Sequence, residues 1–346
     1  MARRTRIMLL ALVVIVVLAN VWLIVLSTGR PPARPPLPNP NGYDDFLKAA
    51  TLLTGDLRGV GALGHDGLQA VVSTNSESLR LLRLGLTRQC ALAPESALTN
   101  VPAILSQLAG LQRLAYLLEA EGRLRESDDR LADAAQSYVD AIHFGNEMSR
   151  GGFIISRNVG ILCEMIGGTA LSRLVPKLNP EAARRVIAEL EQIDTAGVTW
   201  DEVRRNESSF ARYEYKFARQ QLGGWFNAIP LTMTRWVDAW RGRKQAEMRD
   251  RQLAAHVRLL TADLALRCYE SEQRRAPTGL EQLVPQYLQR VPSDPFSGRP
   301  MIYRPQGTNW LLYSVGPDSV DDGGQRVGAW VSGAVPRGDL FYDSPY

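Results

Sequence analysis

Residues 252–268 read QLAAHVRLLTADLALRC, and this stretch decides the fold. Its apolar residues recur at spacings of four, three, four and four, namely Leu253, Val257, Leu260, Leu264 and Cys268. That spacing keeps one apolar face on a helix of 3.6 residues per turn, whereas a strand would show alternation. The stretch therefore predicts a long helix that packs through one face and ends near residues 270–275.

Turns and short strands follow this helix. Thr278-Gly-Leu-Glu281 predicts a capping box and a short helix, and residues 292–300, PSDPFSGRP, predict a turn. Residues 301–303 and 310–315 predict two strands joined through Pro305-Gln-Gly307. A helix followed by two paired strands predicts a small α+β domain over residues 249–346.

The order of these segments resembles the C-terminal domain of the major pseudopilin of type II secretion systems, over about residues 250–343. Two motifs carry the resemblance: Asp294-Pro295 before Pro300-Met-Ile-Tyr303, and Tyr313-Ser-Val-Gly316-Pro-Asp318. The resemblance implies a long helix packed on a small antiparallel sheet. Pseudopilins also begin with a short basic leader and a Phe-Thr-Leu-x-Glu start to the membrane helix, which Met1–Leu26 lacks. The resemblance therefore implies the fold of the end domain and not assembly into a pseudopilus.

In that family the acidic loop after the strands holds a calcium ion. By position, Asp318 matches the Asp of that family's Gly-x-Asp-Gly turn, and Asp339 matches the acidic residue before its closing apolar pair. Asp321 and Asp322 lie in the loop between them, so the resemblance implies these four as candidate metal ligands. Calcium takes six to eight oxygen ligands, and an Asp-rich loop with permissive glycines supplies carboxylates and carbonyls. The alternative is a solvated acidic turn without an ion.

The region before the long helix, residues 43–248, predicts an α-helical domain of packed hairpins. Helical stripes are common in it, as in Ile104, Leu108, Leu111, Leu114 and Leu118. One stretch resembles a single tetratricopeptide hairpin in the order of its small and aromatic positions, which are Leu118, Gly122, Ala134, Tyr138 and Ala141. A single unit cannot bury its own face, so a repeat array is not predicted.

Three features of the chain could indicate a ligand, metal or redox site, but each has a simpler structural interpretation. Gly59-Val-Gly61-Ala-Leu-Gly64 fits a dinucleotide fingerprint, but residues 49–58 predict a helix and a turn where that motif needs a strand. His65-Asp66 could be half of a metal pair, but the chain has only three His, which are scattered. The three Cys, Cys90, Cys163 and Cys268, predict small buried side chains, and one disulfide among them stays open.

Residues 225–251 combine Trp and Arg. Trp236 and Trp240 stand four residues apart, with Arg241, Arg243 and Lys244 close behind. The pattern fits one buried helix face with the cations in solvent, or an interfacial helix on anionic lipid. The buried face is the favoured interpretation.

The N-terminus predicts a membrane anchor. Residues 7–26, IMLLALVVIVVLANVWLIVL, are free of charge and span about 30 Å as a helix, which matches a bilayer core. Three Arg precede this run and two follow it, so residues 1–27 predict a cytoplasmic N-terminus and an uncleaved anchor. A cleaved signal peptide is the alternative. The Pro-rich residues 28–42 predict an extended tether.

The charge distribution disfavours nucleic acid as a ligand. Of 40 basic residues, five lie in residues 1–43, which hold no acid, so the rest carries 35 against 36 acidic residues. The sequence thus predicts a single-pass protein of the bacterial cytoplasmic membrane with its folded part outside. We expect a non-enzymatic binding or assembly role with a protein partner in the cell envelope. The alternative is an exported hydrolase whose acidic loop is catalytic.

Overall fold

The computed structural model describes residues 36–92, 101–307, 309–328 and 336–344, except for residues 208–224. Side chains at 101–103 and 225–241 are also outside the description. The predicted membrane helix, its orientation and most of the tether therefore lie outside the described residues. The choice between the two interpretations of Trp236 and Trp240 lies outside them too.

The protein is mainly helical, as predicted. The helices are α1 (Gly42–Thr51), α2 (His65–Thr74), α3 (Ser76–Leu86), α4 (Val101–Ser127), α5 (Leu131–Glu147), α6 (Ile154–Leu174), α7 (Pro180–Ala196) and α8 (Trp225–Gln273). Residues 200–207 form a further short helical segment, and 3₁₀ turns cover Val60–Ala62, Val175–Lys177 and Leu280–Leu283. The sheet of the described residues has two antiparallel strands, β1 (Ile302–Gln306) and β2 (Asn309–Tyr313), with Ile302 opposite Tyr313.

Helices α4 and α5 form the hairpin that the small and aromatic residues predicted. All five predicted packing positions are buried. Gly122 is needed because a Cβ there would lie 2.2 Å from the Tyr138 ring. Asp129 takes a left-handed conformation, φ 57°, in the turn between α4 and α5. The hairpin packs against α6, which crosses α5 at Gly145, Gly160 and Gly167 with almost no space between the two backbones.

Helix α8 is buried on more than the predicted face. The five predicted positions are all buried, but so are four residues off that stripe, Ala255, Leu259, Ala262 and Leu266. The reason is that one side of α8 packs on α6 and α7, and another side packs on β2 and on the 3₁₀ turn Leu280–Leu283. One hydrophobic core therefore continues from α5 to the strands, and the predicted boundary at residue 248 falls inside a continuous helix.

The capping box predicted at Thr278 is wrong in its details. The segment makes a 3₁₀ turn, with Gly279 before it and no side-chain cap. Instead, the Thr278 N–H donates to Gln282 Oε1 at 3.1 Å. Pro285 lies two residues after the end of this turn, and proline cannot supply the N–H that a longer helix needs.

The discounted motifs have ordinary structural roles. The glycines of residues 59–64 surround a 3₁₀ turn that follows helix α1 and no strand. His65 is exposed and lies 3.0 Å from Asp128 and 3.3 Å from Asp66. All three cysteines are buried and free, so no disulfide joins them.

Within the described residues, one helical stretch is long and apolar enough to cross a membrane. It is Ile154–Lys177, which contains α6, and more than half of its most apolar window is buried inside the protein. A core helix has the same properties, and the glycine crossing with α5 accounts for its composition.

Candidate functional site

The acidic loop is positioned by Asp294, which is fully buried. One carboxylate oxygen accepts hydrogen bonds from the Phe296 N–H at 2.8 Å and the Ser314 hydroxyl at 3.0 Å. The other accepts from the Val315 N–H at 2.9 Å. Asp294 thus ties the turn before β1 to the residues that follow β2, which explains the proline-flanked Asp that the sequence singled out.

Asp339 closes the loop from the far side and is also fully buried. Its carboxylate accepts from the Gly324 N–H at 2.7 Å and the Asp322 N–H at 3.4 Å. Burial raises the pKa of Asp339, and the charges of Asp321 and Asp322 raise it further, against those two N–H groups. The structure therefore brings Asp339 close to Asp321 and Asp322.

Asp321 is largely exposed and binds three donors. It accepts from the Tyr313 hydroxyl at 2.7 Å, the Gly323 N–H at 2.9 Å and Arg304 at 2.9 Å. The Tyr313 hydrogen bond is the main reason that the pKa of Asp321 is lowered. Asp321 is thus held in its ionised form by protein groups.

The two remaining predicted ligands, Asp318 and Asp322, differ in their contacts. Asp318 accepts from the Val320 N–H in its own turn at 3.2 Å. The Asp322 carboxylate accepts no hydrogen bond among the described residues. Within that part of the chain, no group of three or more His, Cys, Asp or Glu side chains is arranged to hold a metal. The oxygens suit calcium chemically, but an ion would compete with N–H and Arg donors for Asp321 and Asp339. Calcium binding stays a prediction.

A second candidate site is a polar cleft of about 630 Å³ among helices α1–α7, which we call the helical body. The end of α3 and the following loop form one wall, and α5 and α7 form the others. Nine of the fourteen lining residues are polar or charged, namely Thr87, Arg88, Gln89, His143, Asn146, Glu147, Arg150, Glu189 and Gln192. Pro38, at the end of the tether, lies at its edge.

Most charges in this cleft are already paired. Arg88 donates to Asp45 at 2.6 Å, and Arg150 donates to Glu147 at 2.6 Å and to the Ala196 carbonyl at 2.9 Å. Burial raises the pKa of the Cys90 thiol in the cleft wall to about 12, so this thiol is protonated and not a nucleophile. The arrangement can form hydrogen bonds with a ligand, and its cysteine is unsuited to nucleophilic attack.

Sequence reasoning missed this cleft. Its polar residues come from three segments between residues 87 and 196, and their spacing follows no ligand motif. His143 and Gln192 look like ordinary exposed positions on amphipathic helices. The site exists only because α3, α5 and α7 pack side by side.

Comparison of the chain with protein families, with curated proteins and with solved structures finds no match.

Proposed function

We propose that this chain is a single-pass, membrane-anchored envelope protein with a non-catalytic binding or assembly role outside the bacterial cytoplasmic membrane. The anchor and its orientation rest on residues 1–27 of the sequence. The resemblance of residues 250–343 to a pseudopilin end domain links the proposed role to secretion. The partner is a protein of the cell envelope, and it binds the helical body.

The polar cleft is the observation that carries this proposal. Its walls present Gln89, His143 and Gln192, whose amide and imidazole groups can both donate and accept hydrogen bonds. An extended backbone segment of a partner offers the matching donors and acceptors. Because Pro38 lies at the cleft edge, a partner bound there would also lie beside the tether.

The acidic loop supports the non-enzymatic interpretation over the hydrolase. A catalytic carboxylate must reach a substrate proton or carbon. Here Asp294 and Asp339 are buried on backbone N–H groups, and Asp321 holds Arg304 and Tyr313. These contacts are what an acid that shapes a loop would make.

The binding role is tested by photo-crosslinking of the full chain in cells. A photoreactive residue replaces Gln89 or Gln192 at the cleft, and Lys177, which is exposed and outside the cleft, in the control. We expect a discrete crosslinked protein from both cleft positions and none from Lys177. Equal products at all three positions, or none at the cleft, would contradict the proposal.

The calcium prediction is tested by thermal unfolding of the full chain in detergent micelles, with calcium and with chelator. Binding to the folded state alone should add about 2.7 kcal/mol at 100 times the dissociation constant. Asp322→Asn is the informative variant, because this carboxylate holds no donor of the described residues whose loss would destabilise the fold. If calcium stabilises the wild type but not the variant against thermal unfolding, the result supports a calcium-stabilised end domain. No shift in the wild type would leave a solvated acidic turn.

A further inference from the structure

Three charged side chains meet where α6 packs on α8, two of them buried and the third half-buried. Arg157 and Glu164 on α6 are 4% and 3% exposed, and the Asp250 side chain on α8 is 15% exposed. Arg157 Nε donates to Asp250 Oδ1 at 2.6 Å, and Nη1 donates to Glu164 Oε1 at 2.5 Å. One guanidinium thus holds two carboxylates that come from two helices. We refer to these three residues as the α6–α8 triad.

The glycine crossing of α5 and α6 encloses Glu164. A Cβ at Gly145 would lie 2.6 Å from Glu164 Cγ, and one at Gly160 would lie 2.4 Å from the Gly145 carbonyl oxygen. Glu164 is therefore pressed against the α5 backbone. Ser149, in the turn that follows α5, lies against Gly160 of this crossing, is neutral and donates to the Gly145 carbonyl at 2.7 Å. The crossing leaves this carboxylate away from water.

The charges of the triad do not balance. With both carboxylates ionised, one Arg faces two acids, and a buried uncompensated charge is costly. Arg157 and Asp250 are the charged groups that act on Glu164. The pKa of Glu164 is raised to about 7: burial and the charge of Asp250 raise it, and Arg157 opposes both. Burial lowers the pKa of His256, further along α8, to about 4, so that histidine is neutral between pH 6 and 8.

We propose that the α6–α8 triad is a proton-dependent clasp between the helical body and the helix that carries the end domain. With one proton on the carboxylate pair, Arg157 balances the remaining charge and the clasp is closed. When that proton leaves for solvent, the two carboxylates, one of them buried, face a single guanidinium, and α8 separates more readily from α6. The clasp is thus firm in mild acid and loosens as the pH rises.

Hydrogen exchange of the full chain in detergent micelles tests the clasp at backbone amides 246–254, between about pH 5 and 8. The ordinary pKa of a glutamate is 4.5, and that of Glu164 in the closed clasp is about 7. After correction for intrinsic exchange, opening with loss of one proton therefore predicts an opening constant that rises by up to about tenfold per pH unit from about pH 5 to 7 and levels off above that. Glu164→Gln keeps an oxygen acceptor for Arg157 and should abolish the rise. The matched control is Glu121→Gln, because Glu121 is buried in α4 and pairs with two arginines, Arg83 and Arg125. A pH-independent wild type, or a rise that survives in Glu164→Gln, would overturn the proposal.

A second measurement follows the carboxyl group itself and does not require the glutamine variant to fold. In the chain with ¹³C-labelled glutamate side chains, infrared difference spectra should show a buried carboxyl that ionises near neutral pH. Asp250→Asn removes the nearby like charge and should move that midpoint to lower pH. A midpoint that does not move in Asp250→Asn would overturn the shared-proton arrangement. Glu119→Gln and Glu191→Gln are the controls, because burial raises the pKa of these two glutamates as well.

Discussion

Buried acids serve the end domain and the helical body in two different ways. In the end domain, Asp294 and Asp339 accept backbone N–H groups from the turns around them. In the helical body, Glu121 and Glu164 pair with arginine side chains instead. All four side chains are at most 5% exposed, so burial alone does not explain the difference.

The difference follows from where free N–H groups exist. Inside a helix, each N–H is already bonded to the carbonyl four residues before it, so a buried acid on a helix must be neutralised by another side chain. Turns leave N–H groups without such partners, and an Asp in or near a turn can bind them. The end-domain acids therefore fix loop shape, whereas the helix acids depend on the number of arginines within reach. Glu121 has two arginines, of which Arg83 is shared with Asp140, whereas Glu164 has one, which is shared with Asp250.

The largest expected effect comes from removing the single arginine. Arg157→Leu leaves the buried Glu164 and the half-buried Asp250 without a cation and should cost about 3–5 kcal/mol of unfolding free energy at pH 7. Arg125→Leu is the matched control, since the acid that pairs with Arg125 is Glu121, which keeps Arg83, and the loss should be clearly smaller. Urea unfolding of the full chain measures both. Equal losses would mean that the arginine count does not distinguish the two networks.

A smaller effect is expected where the buried acid binds N–H groups. Asp294→Ala removes hydrogen bonds to the Phe296 and Val315 N–H groups and should cost about 2–3 kcal/mol, because those buried donors lose their partner. Asp318→Ala removes an acceptor in a more exposed turn and should stay within about 0.5 kcal/mol. Urea unfolding of the two variants measures both losses of unfolding free energy. Similar losses would contradict a special role for burial.

The sequence predicted the elements of this fold well. Helical periodicity identified α8 and the α4–α5 hairpin, and the two strands were placed to within two or three residues of their bounds. It also predicted which small and aromatic positions the hairpin would bury, because local spacing determines which face of a helix they share.

The sequence could not show what depends on contacts between distant segments. The off-stripe residues of α8, such as Ala255 and Leu259, are buried only because the helix lies between the body and the strands. Arg157 and Asp250 are 93 residues apart, and the cleft combines three helices. The acidic loop was visible because its residues are close in sequence, but spacing could not reveal that Asp339 and Asp321 hold protein donors.

Asp339 and Asp321 should give opposite pH dependence within one loop. Burial raises the pKa of Asp339 above its ordinary 3.8, so the folded state holds that proton more tightly, and stability from this group falls as the pH rises through the raised pKa. Asp321, whose pKa is lowered, contributes stability above pH 3.8 that is lost as the pH falls. Asp339→Asn should cost about 1 kcal/mol for the altered Gly324 hydrogen bond and remove the falling component from the pH profile of urea unfolding. An unchanged profile would contradict the assignment.

The smallest expected effect is that of Asp321→Asn. Its pair with Arg304 is exposed on both sides, and such pairs contribute about 0–1 kcal/mol, less at high salt. The variant therefore separates the two interpretations of the loop in one measurement. If Asp321 serves only Arg304 and Tyr313, thermal unfolding of the variant changes slightly and equally with calcium and with chelator. If Asp321 is a calcium ligand, the variant loses a stabilisation of about 2.7 kcal/mol at 100 times the dissociation constant, present only with calcium. A small loss that is independent of calcium would place Asp321 with the N–H-binding acids of the end domain, as a residue that shapes the loop.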